Sequence, residues 1–444
     1  MNLAVCADVG STYTKAAVVD LDGGRLVGAA AAPTTVGSDV LHGLDAAVGA
    51  ATSGLGAGDL PWYVCSSAGG GLRLAVIGYE PLVTAQAGRR VGLSAGANVV
   101  HVAAGRLGQA DLTALRAARP DVVLLVGGTD GGDVDTLTRN ATRLARARWR
   151  VPVVLAGNAD VRDDLHALLA AAKVPVTAAD NVLPRIGVLT PAPARAAIRE
   201  VFLRHVIGGK KLSRGGRFAR LVRAATPDAV LTGVEVLADA LGGDLAVVDV
   251  GGATTDVYSV LTPDERDSGP SQEVAGTLWR ARTVEGDLGM RWSAPGVVRA
   301  AAEERLLAAG EEDDLAAAAA VRAADPGFLP ADDADRAADR RIAALAATVA
   351  LRRHARGAAT GERAGRDLRD VKVMVGSGGV LRHAAPGDAA AVLAAVLGDH
   401  AGGWPLPRAA RAVVDVDYVL AAGGLLAADH PAAAAALLRR HLAG

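Results

Sequence analysis

Two stretches of this sequence place an aspartate at the end of an apolar run and follow it with glycine and hydroxyl-bearing residues. The first is Asp8-Val-Gly-Ser-Thr-Tyr-Thr-Lys15, and the second, about 240 residues later, is Asp249-Val-Gly-Gly-Ala-Thr-Thr-Asp256. One such stretch alone is as consistent with an ordinary β-hairpin as with a binding loop. Because the pattern recurs after a second buried run, it indicates two related lobes.

The residue types in both stretches are suited to holding phosphate groups together with a divalent cation. Glycines in a tight turn expose backbone N–H groups, hydroxyls add donors, and a lysine supplies positive charge. The candidate phosphate-binding residues are Gly10, Ser11, Thr12, Lys15, Gly251, Gly252, Thr254 and Thr255. Aspartates would repel a bare polyphosphate, so Asp8, Asp249 and Asp256 imply a bridging cation such as Mg²⁺.

These stretches together predict a two-sided phosphate clamp. We expect Asp8 and Asp249 to hold Mg²⁺, and the two turns to face each other across a cleft that grips the β- and γ-phosphates. The expected catalytic residues are Asp8, Lys15, Asp249 and Asp256.

A third glycine turn ends a strand-like run near the C-terminus, in "VMVGSGGV". Alone, it is best explained as an ordinary strand-to-helix turn. Beside two phosphate loops, we interpret it as a turn against which an adenosine lies, formed by Gly376, Ser377, Gly378 and Gly379.

The elements that must position these residues alternate between strands and helices, which predicts an α/β protein. Strand, turn and strand open the chain, and a helix is expected from Val40 to Leu55. Parallel α/β units follow, with buried strands at "DVVLLVGG", "VPVVLAGN" and "VPVTAAD". The second half again opens strand-turn-strand, and its Ala-rich stretch from about Pro295 to Gly365 reads as helical with a solvated charged face.

At 444 residues the chain is long enough for several domains. We expect residues 1–82 to form the first part of an N-terminal lobe and residues 83–208 an inserted α/β region. Connecting helices are expected over 209–244, and a C-terminal lobe over 245–444. That lobe would include the helical subdomain at about 295–365 and a final helix returning toward the cleft.

Composition argues against several other classes of protein. The net charge of -1 and the 3% of aromatic residues give no attraction to nucleic acid or an anionic membrane. The cysteines Cys6 and Cys65 lie in apolar runs and read as buried thiols in a reducing compartment. Neither a signal peptide nor a membrane-spanning run is expected, so the location predicted is cytoplasmic. The scattered histidines do not suggest a transition-metal site.

The three turns resemble those of the actin, Hsp70 and sugar-kinase superfamily of ATPases. The resemblance implies a two-lobed actin-like fold with duplicated ribonuclease-H-like domains and an α/β insertion in the first lobe. It also implies ATP and Mg²⁺ as cofactors. Pro227 to Leu241 matches the first connecting helix by position but offers no clear catalytic acid, and Ala421 to Ala427 resembles the second connecting helix.

Longer phrases resemble a narrower family, the accessory proteins of glutamate mutase called MutL, which are unrelated to the mismatch-repair protein of similar name. These phrases are "APTTVGSDVLHGLDAA", "LLVGGTDGGD", "VPVVLAGN", "DNVLPRIGVL", "VVDVGGATTDVYSV" and "RTVEGDLGMRWSAPG". The resemblance implies an ATP-dependent reactivating factor whose partners are the subunits of an adenosylcobalamin-dependent mutase. A small-molecule kinase and a nucleotide-dependent actin-like assembly protein remain alternatives.

One motif tests whether the chain would bind cobalamin itself. Cobalamin-binding mutases use D-x-H-x-x-G, but the stretch beginning Asp164-Leu-His166 has Leu169 in place of the glycine. No direct base-off cobalamin site is therefore expected.

Two features stay open in the sequence. The loop from Gly127 to Gly132 could line the nucleotide cleft or form a partner surface. Glu285 and Asp287 could contact a magnesium-bound water or simply cap the following helix.

Overall fold

The computed structural model describes residues 2–56, 60–68, 72–207, 212–262, 280–356 and 366–443. The expected boundary at Gly208 and the end of the expected helical stretch at Gly365 lie outside these residues. Backbone contacts divide the chain into two compact units. Unit 1 comprises Met1–Val236, Pro263–Ala281 and Leu420–Leu437, and unit 2 comprises Leu237–Thr262, Arg282–Val419 and Leu438–Gly444.

The described strands and helices follow one another along the chain in short alternating runs. The strands are β1 (Leu3–Val9), β2 (Tyr13–Asp20), β3 (Arg25–Pro33), β4 (Trp62–Ser66), β5 (Arg73–Gly78), β6 (Asn98–Ala104), β7 (Val122–Leu125), β8 (Val153–Leu155), β9 (Val176–Ala178), β10 (Val222–Ala225), β11 (Leu245–Val250), β12 (Thr255–Val260), β13 (Arg280–Glu285), β14 (Val373–Ser377) and β15 (Arg411–Val414). The α-helices are α1 (Val40–Ala51), α2 (Thr84–Ser94), α3 (Gln109–Ala117), α4 (Asp135–Arg146), α5 (Arg162–Ala171), α6 (Pro191–Val201), α7 (Arg217–Leu221), α8 (Thr226–Leu241), α9 (Ala294–Glu303), α10 (Glu311–Ala324), α11 (Asp333–Arg356), α12 (Gly379–Arg382), α13 (Pro386–Leu397), α14 (Val419–Leu426) and α15 (Pro431–Leu442). A π-helical turn over Phe202–Ile207 and 3-10 turns over Ala159–Val161 and Ala401–Gly403 complete the list.

Two of the sheets share one topology. The first has the order β10-β4-β1-β2-β3, and the second has the order β13-β12-β11-β14-β15. When the strands of each sheet are renumbered 1 to 5 in chain order, both sheets have the spatial order 3-2-1-4-5, read from one edge or the other. In both sheets the first two strands are antiparallel and the fourth strand is parallel to the first. This duplicated ribonuclease-H-like order confirms the expected actin-like α/β fold.

The central strands of these sheets are mainly apolar because both faces are covered. Every residue of β1, LAVCADV, is buried, whereas the edge strand β3 has only exposed and half-buried residues. Continuous apolar runs are typical of strands that are buried on both sides. Asp8 and Asp249 are the penultimate residues of two such central strands, β1 and β11.

A third, fully parallel sheet lies within unit 1, with the order β6-β5-β7-β8-β9. Counted along the chain this is 2-1-3-4-5, the doubly wound order in which the strand sequence reverses between β5 and β7. Its strands β7 and β8, VVLL and VVL, are wholly buried. The additional α/β region expected in the first lobe is confirmed, while its exact boundaries stay a prediction.

Unit 2 carries the helices α9, α10 and α11 in the expected Ala-rich region. The Arg322 side chain is 1% exposed and its guanidinium donates to Asp339, at 2.5 Å, and to the carbonyl of Ala318. Buried charges are tolerated when they are paired and hydrogen-bonded, as these are. The alanine-rich helices are therefore fixed to one another by specific polar contacts as well as by packing.

Helices α8 and α14 approach each other at glycine within unit 1. A Cβ on Gly233 would lie 2.0 Å from the carbonyl oxygen of Leu420, and a Cβ on Gly424 would lie 1.8 Å from that of Ala229. Only residues without side chains allow such a crossing. α8 and α14 are helical where helices were expected, and their role as the two connecting helices stays a prediction.

The segment expected to hold connecting helices, 209–244, also contains a strand. β10 pairs in parallel with β4 and adds a fifth strand to the first sheet. In the part of the chain that the structure describes, no helix is both long and apolar enough to cross a membrane.

Candidate functional site

The first candidate half-site is built around Asp8, the penultimate residue of β1. Its side chain is 4% exposed and lies opposite Lys15 of β2 in the strand register. Lys15 Nζ is 3.7 Å from Asp8 Oδ2. The other carboxylate oxygen, Oδ1, accepts hydrogen bonds from the Thr226 hydroxyl at the start of α8 and from the Cys65 thiol at 3.5 Å. The two oxygens of Asp8 therefore have different surroundings.

The turn after β1 offers backbone donors. Gly10 N donates to the carbonyl of Tyr13 at 3.2 Å, and a Cβ on Gly10 would lie 2.7 Å from that oxygen. Ser11 and Thr12 are exposed, and within the described chain their N–H groups donate to no protein acceptor. Exposed, unbonded N–H groups in a tight turn form a concave site for an anion.

The turn after β11 repeats this geometry in unit 2. Gly251 N donates to the carbonyl of Thr254 at 2.9 Å, and a Cβ on Gly251 would lie 2.8 Å from that oxygen. Gly252 and Ala253 are exposed, and their N–H groups likewise meet no acceptor in the described residues. The expected repeat is therefore present in the backbone as well as in the sequence.

The charges beside the two turns differ. In the second hairpin Asp249 lies opposite Asp256 in the strand register, whereas in the first hairpin Asp8 lies opposite Lys15. Asp256 in turn accepts a 2.8 Å hydrogen bond from Nε of Arg282, whose side chain is 5% exposed. Burial favours a neutral Arg282, but the charge of Asp256 raises the pKa of the guanidinium above its ordinary value. Asp256 is thus engaged by a neighbouring cation in this structure.

The two threonines of the second stretch occupy different environments. Thr254 is half-buried, and its hydroxyl donates to Asp256 at 3.3 Å. Thr255 is fully buried, and its hydroxyl has no hydrogen-bond partner in the described structure. The structure therefore places the Thr255 hydroxyl in the interior and away from the exposed turn.

The third glycine turn lies next to the second one. Ser377, the last residue of β14, is the register partner of Asp249 in the parallel pair β11–β14. Gly378 has φ +102°, and a Cβ there would lie 2.2 Å from the carbonyl of Val250 and 3.0 Å from Asp249 Oδ1. The structure therefore brings the Gly376–Gly379 turn and the Asp249 loop together at the carboxyl edge of one sheet. Gly376 is buried and Gly379 is exposed.

A supporting segment that the sequence did not reveal holds the second turn in place. The N–H groups of Met290 and Arg291 donate to the carbonyls of Gly251 and Gly252, at 2.9 and 2.8 Å. The Ser293 hydroxyl donates to the carbonyl of Ala253 at 2.7 Å. Because all three carbonyls are directed at residues 290–293, the shape of this turn is fixed before any ligand arrives.

Glu285 and Asp287 both face Arg353 of α11. Arg353 donates to Glu285 at 3.0 Å and to both oxygens of Asp287 at 2.7 and 3.0 Å. Partial burial works against ionisation of Asp287, but its hydrogen bonds with Arg353 hold the pKa of that carboxyl below its ordinary value. These contacts favour a structural role for the pair over that of a general base.

The two cysteines are buried and free, as expected. Burial raises the pKa of Cys6 to about 12. Burial, followed by the charge of Asp8, raises the pKa of Cys65 well above its ordinary value. Cys65 nevertheless has a polar contact, because its thiol donates to Asp8. The sequence identified its burial but not this hydrogen bond.

The residues of both turns fit Mg²⁺ and a polyphosphate. The described residues contain no group of three or more His, Cys, Asp or Glu side chains that could enclose a metal ion. Mg²⁺ does not need such a group, since it binds through one or two carboxylates and keeps water and phosphate oxygens. Asp8 and Asp249 are each placed at a strand end beside free N–H groups, which suits that mode.

The comparisons with known proteins identify the family of this chain. A family model described as MutL protein matches residues 4–442. The chain belongs to the MutL family. Protein MutL of Clostridium tetanomorphum is 33% identical over 402 residues, which cover 86% of this chain and 87% of that protein.

Solved structures that align with this MutL-family chain are more distant. Nucleotide-free acetone carboxylase is 17% identical with a TM-score of 0.41, covering 96% of this chain and 70% of that one. Glycerol dehydratase reactivase is 12% identical with a TM-score of 0.36, covering 96% and 99%. The ROK hexokinase of Thermus thermophilus is 15% identical with a TM-score of 0.28, covering 98% and 97%. The fold assignment rests on the strand order of the two mixed sheets.

Proposed function

We propose that this MutL-family protein binds ATP with Mg²⁺, hydrolyses it slowly, and uses the cycle to reactivate an adenosylcobalamin-dependent mutase. The observation that carries the proposal is the repeated turn. Each copy places exposed N–H groups, unbonded among the described residues, three and four residues after an aspartate near a strand end, and one copy adds Lys15.

The phosphates would be held by the chain's own donors. The N–H groups of Ser11, Thr12, Gly252 and Ala253 would donate to phosphate oxygens, and Lys15 would add positive charge. Asp8 and Asp249 would hold Mg²⁺, which supplies charge neutralisation on the phosphates when bound. The adenosine would lie against the Gly376–Gly379 turn, because that turn shares a sheet edge with the Asp249 loop.

Slow hydrolysis is expected from the side chains near each turn. The side chain that α8 presents there is the hydroxyl of Thr226, which is a poor general base near neutral pH. Glu285 and Asp287 are held by Arg353. The chain would therefore position and polarise the attacking water without a strong base, and a low turnover is the expected result.

The partner is proposed from the family to which the chain belongs. Accessory proteins of glutamate mutase resemble this sequence over several long phrases, and the chain lacks the D-x-H-x-x-G motif for cobalamin. A reactivating factor needs a conformational cycle and a partner surface and does not need the cofactor itself. ATP and ADP should therefore change its affinity for the mutase differently.

The test is phosphate release and mutase reactivation by wild type and Asp8→Asn. The expected result is loss of both activities in Asp8→Asn, because its neutral amide cannot hold Mg²⁺. The matched control is Asp22→Asn, at the turn of the neighbouring hairpin, which should behave as wild type. Undiminished turnover by Asp8→Asn would contradict the proposed site, and phosphate transfer to an added metabolite would favour a kinase.

A further inference from the structure

Three sequence phrases that the nucleotide site does not use meet at one edge of the parallel sheet. The loop Gly127–Asp133 follows β7, Asn158 follows β8, and Asn181 follows β9. All three come at the carboxyl ends of parallel strands, which lie at the same edge of a sheet. We call this part of unit 1 the insertion edge, comprising residues 127–133, 156–160 and 179–190.

Two buried asparagines hold the insertion edge together. Asn181, 3% exposed, donates through Nδ2 to the carbonyl of Gly128 at 3.0 Å and to Asp130 Oδ1 at 2.8 Å. Asn158, fully buried, donates to the carbonyl of Gly132 at 3.3 Å. These amides join the loops after three different strands into one ordered platform.

Several backbone donors of this platform are bonded within it. Asp130 N donates to the carbonyl of Pro184 at 3.0 Å, and Gly132 N donates to that of Thr129 at 2.9 Å. Gly131 N donates to Asp160 at 3.0 Å. These three N–H groups fix the shape of the loop between β7 and α4.

A tight turn carries apolar side chains out of this platform. Val182 and Leu183 are buried, but Ile186 is 58% exposed and Val188 is 48% exposed. Val188 N donates to the carbonyl of Arg185 at 3.0 Å, and Gly187 takes φ +79° to close the turn. Since Thr190 N also returns to the carbonyl of Val182, the turn has a fixed base. Ile186 and Val188 are therefore presented on an ordered support.

Four exposed carboxylates lie on the insertion edge, and hydrogen bonds fix their positions: Asp130, Asp133, Asp160 and Asp180. Asp180 has a local cation, Arg162, at 2.8 Å, whereas no cation pairs with Asp130, Asp133 or Asp160 among the described residues. The turn itself carries one exposed cation, Arg185, beside Ile186. Because the unpaired carboxylates outnumber this cation, the surface is suited to an apolar pocket bordered by Lys and Arg.

We propose that the insertion edge is the docking surface for a folded partner protein whose contact region is an apolar pocket with a basic rim. Ile186 and Val188 fill the pocket, and Asp130, Asp133 and Asp160 meet the rim. The inference rests on the proposed function, in which the partner is the mutase. It adds the place of contact, which is separate from both nucleotide turns in the sequence.

The test measures binding of the full-length chain to purified subunits of an adenosylcobalamin-dependent glutamate mutase, with ATP hydrolysis followed in parallel. The variant Ile186→Asp/Val188→Asp should raise the dissociation constant at least about tenfold, because it puts charge into an apolar pocket. Basal ATPase should be unchanged. Val321→Asp, at a residue 53% exposed on α10 of unit 2, is the matched control and should bind as wild type.

A second variant tests the acidic border without altering the tip. Asp133→Asn/Asp160→Asn keeps oxygen acceptors for the N–H groups of the platform but removes two charges. It should weaken binding and flatten its dependence on salt. Ile186→Ala/Val188→Ala should weaken binding less than the aspartate variant does.

The outcomes separate the two proposals. One outcome is that the wild type binds and reactivates the mutase while Ile186→Asp/Val188→Asp and Asp133→Asn/Asp160→Asn bind it equally well. That result would overturn the docking surface and leave the proposed function standing. Absence of wild-type binding to any mutase subunit would overturn both the docking surface and the proposed partner.

Discussion

The two carboxylate oxygens of Asp8 have different partners, so one can hold the side chain in place while the other contacts a ligand. Its Oδ1 is held by Thr226 and Cys65, while its Oδ2 faces Lys15. A carboxylate anchored through one oxygen loses little further rotational freedom when the other oxygen meets a cation. Thr226 and Cys65 therefore act as positioning residues for the proposed Mg²⁺ ligand.

Removing the Thr226 hydroxyl should loosen this arrangement. Thr226→Val keeps the side-chain volume but removes the hydroxyl donor to Asp8 Oδ1. A hydrogen bond to a charged group contributes about 1.5–3 kcal/mol, so ATPase activity at limiting Mg²⁺ should fall roughly tenfold or more. Thr226→Ser keeps a hydroxyl and should retain the wild-type activity. Phosphate release is measured as a function of Mg²⁺ concentration for the wild type and both variants. Equal Mg²⁺ dependence in all three proteins would contradict the positioning role.

At this scale the sequence predicts the local groups and misses the distant ones. Asp8, Gly10 and Lys15 share one hairpin, so their spacing identifies them. Thr226 contacts Asp8 across 218 residues, and nothing in the local pattern links the two. Arg282 and the Met290–Ser293 segment were missed for the same reason, since each is defined by a tertiary contact.

Helices α8 and α14 form the closest helix contact of unit 1 described above, and glycine makes it possible. With Gly233 and Gly424 facing backbone carbonyls, the two helices meet without side chains between them. No space is left at these glycines for a Cβ atom. The loss of stability on adding one methyl group therefore reports how closely the two helices are packed.

Gly424→Ala should destabilise the protein strongly. The new Cβ would lie 1.8 Å from the carbonyl of Ala229, so the helices must separate, which costs about 1–3 kcal/mol or more. Gly49→Ala is the control, because a Cβ at that exposed position of α1 meets nothing within 4 Å. It should stabilise slightly through helix propensity. The unfolding temperatures of Gly424→Ala and Gly49→Ala are measured by thermal melts. Equal unfolding midpoints for the two variants would contradict the close helix crossing.

The sequence predicted strands correctly where the apolar pattern was continuous and missed one where the pattern was interrupted. The strands β1, β7, β8, β11 and β14 were predicted because strands buried on both faces contain continuous runs of hydrophobic residues. β10 is a four-residue strand, VRAA, set between helical stretches, and its exposed Arg223 interrupts the apolar pattern. Its identity as a strand follows from pairing with β4, which no local pattern contains.

At the scale of the whole molecule, carboxylates held by donors tie stability to pH. Asp39 accepts from the N–H groups of Arg214 and Leu41 and from the Ser213 hydroxyl. These bonds, led by that from Arg214, hold the pKa of Asp39 below its ordinary value. It caps α1 and ties it to a segment about 175 residues away.

Asp39→Asn should therefore change the acid sensitivity of unfolding. The folded protein binds fewer protons at Asp39 than the unfolded chain does, so the stabilisation is complete above the unfolded pKa of about 4 and is lost as pH falls through the lower folded pKa. At neutral pH the variant should melt at a lower temperature, because Asn keeps a cap acceptor but lacks the carboxylate charge, and the difference should vanish toward acid pH. Thermal melts across that range measure it, and a constant difference would contradict this account.

The two hairpins differ in what lies across from their aspartates, a lysine in one and an aspartate with its arginine in the other. The duplication has thus preserved backbone shape while the charges have diverged. The two turns are therefore not interchangeable, although their backbones match. The first adds the charge of Lys15 to its N–H groups, whereas the second lies beside an aspartate that already has an arginine as its partner.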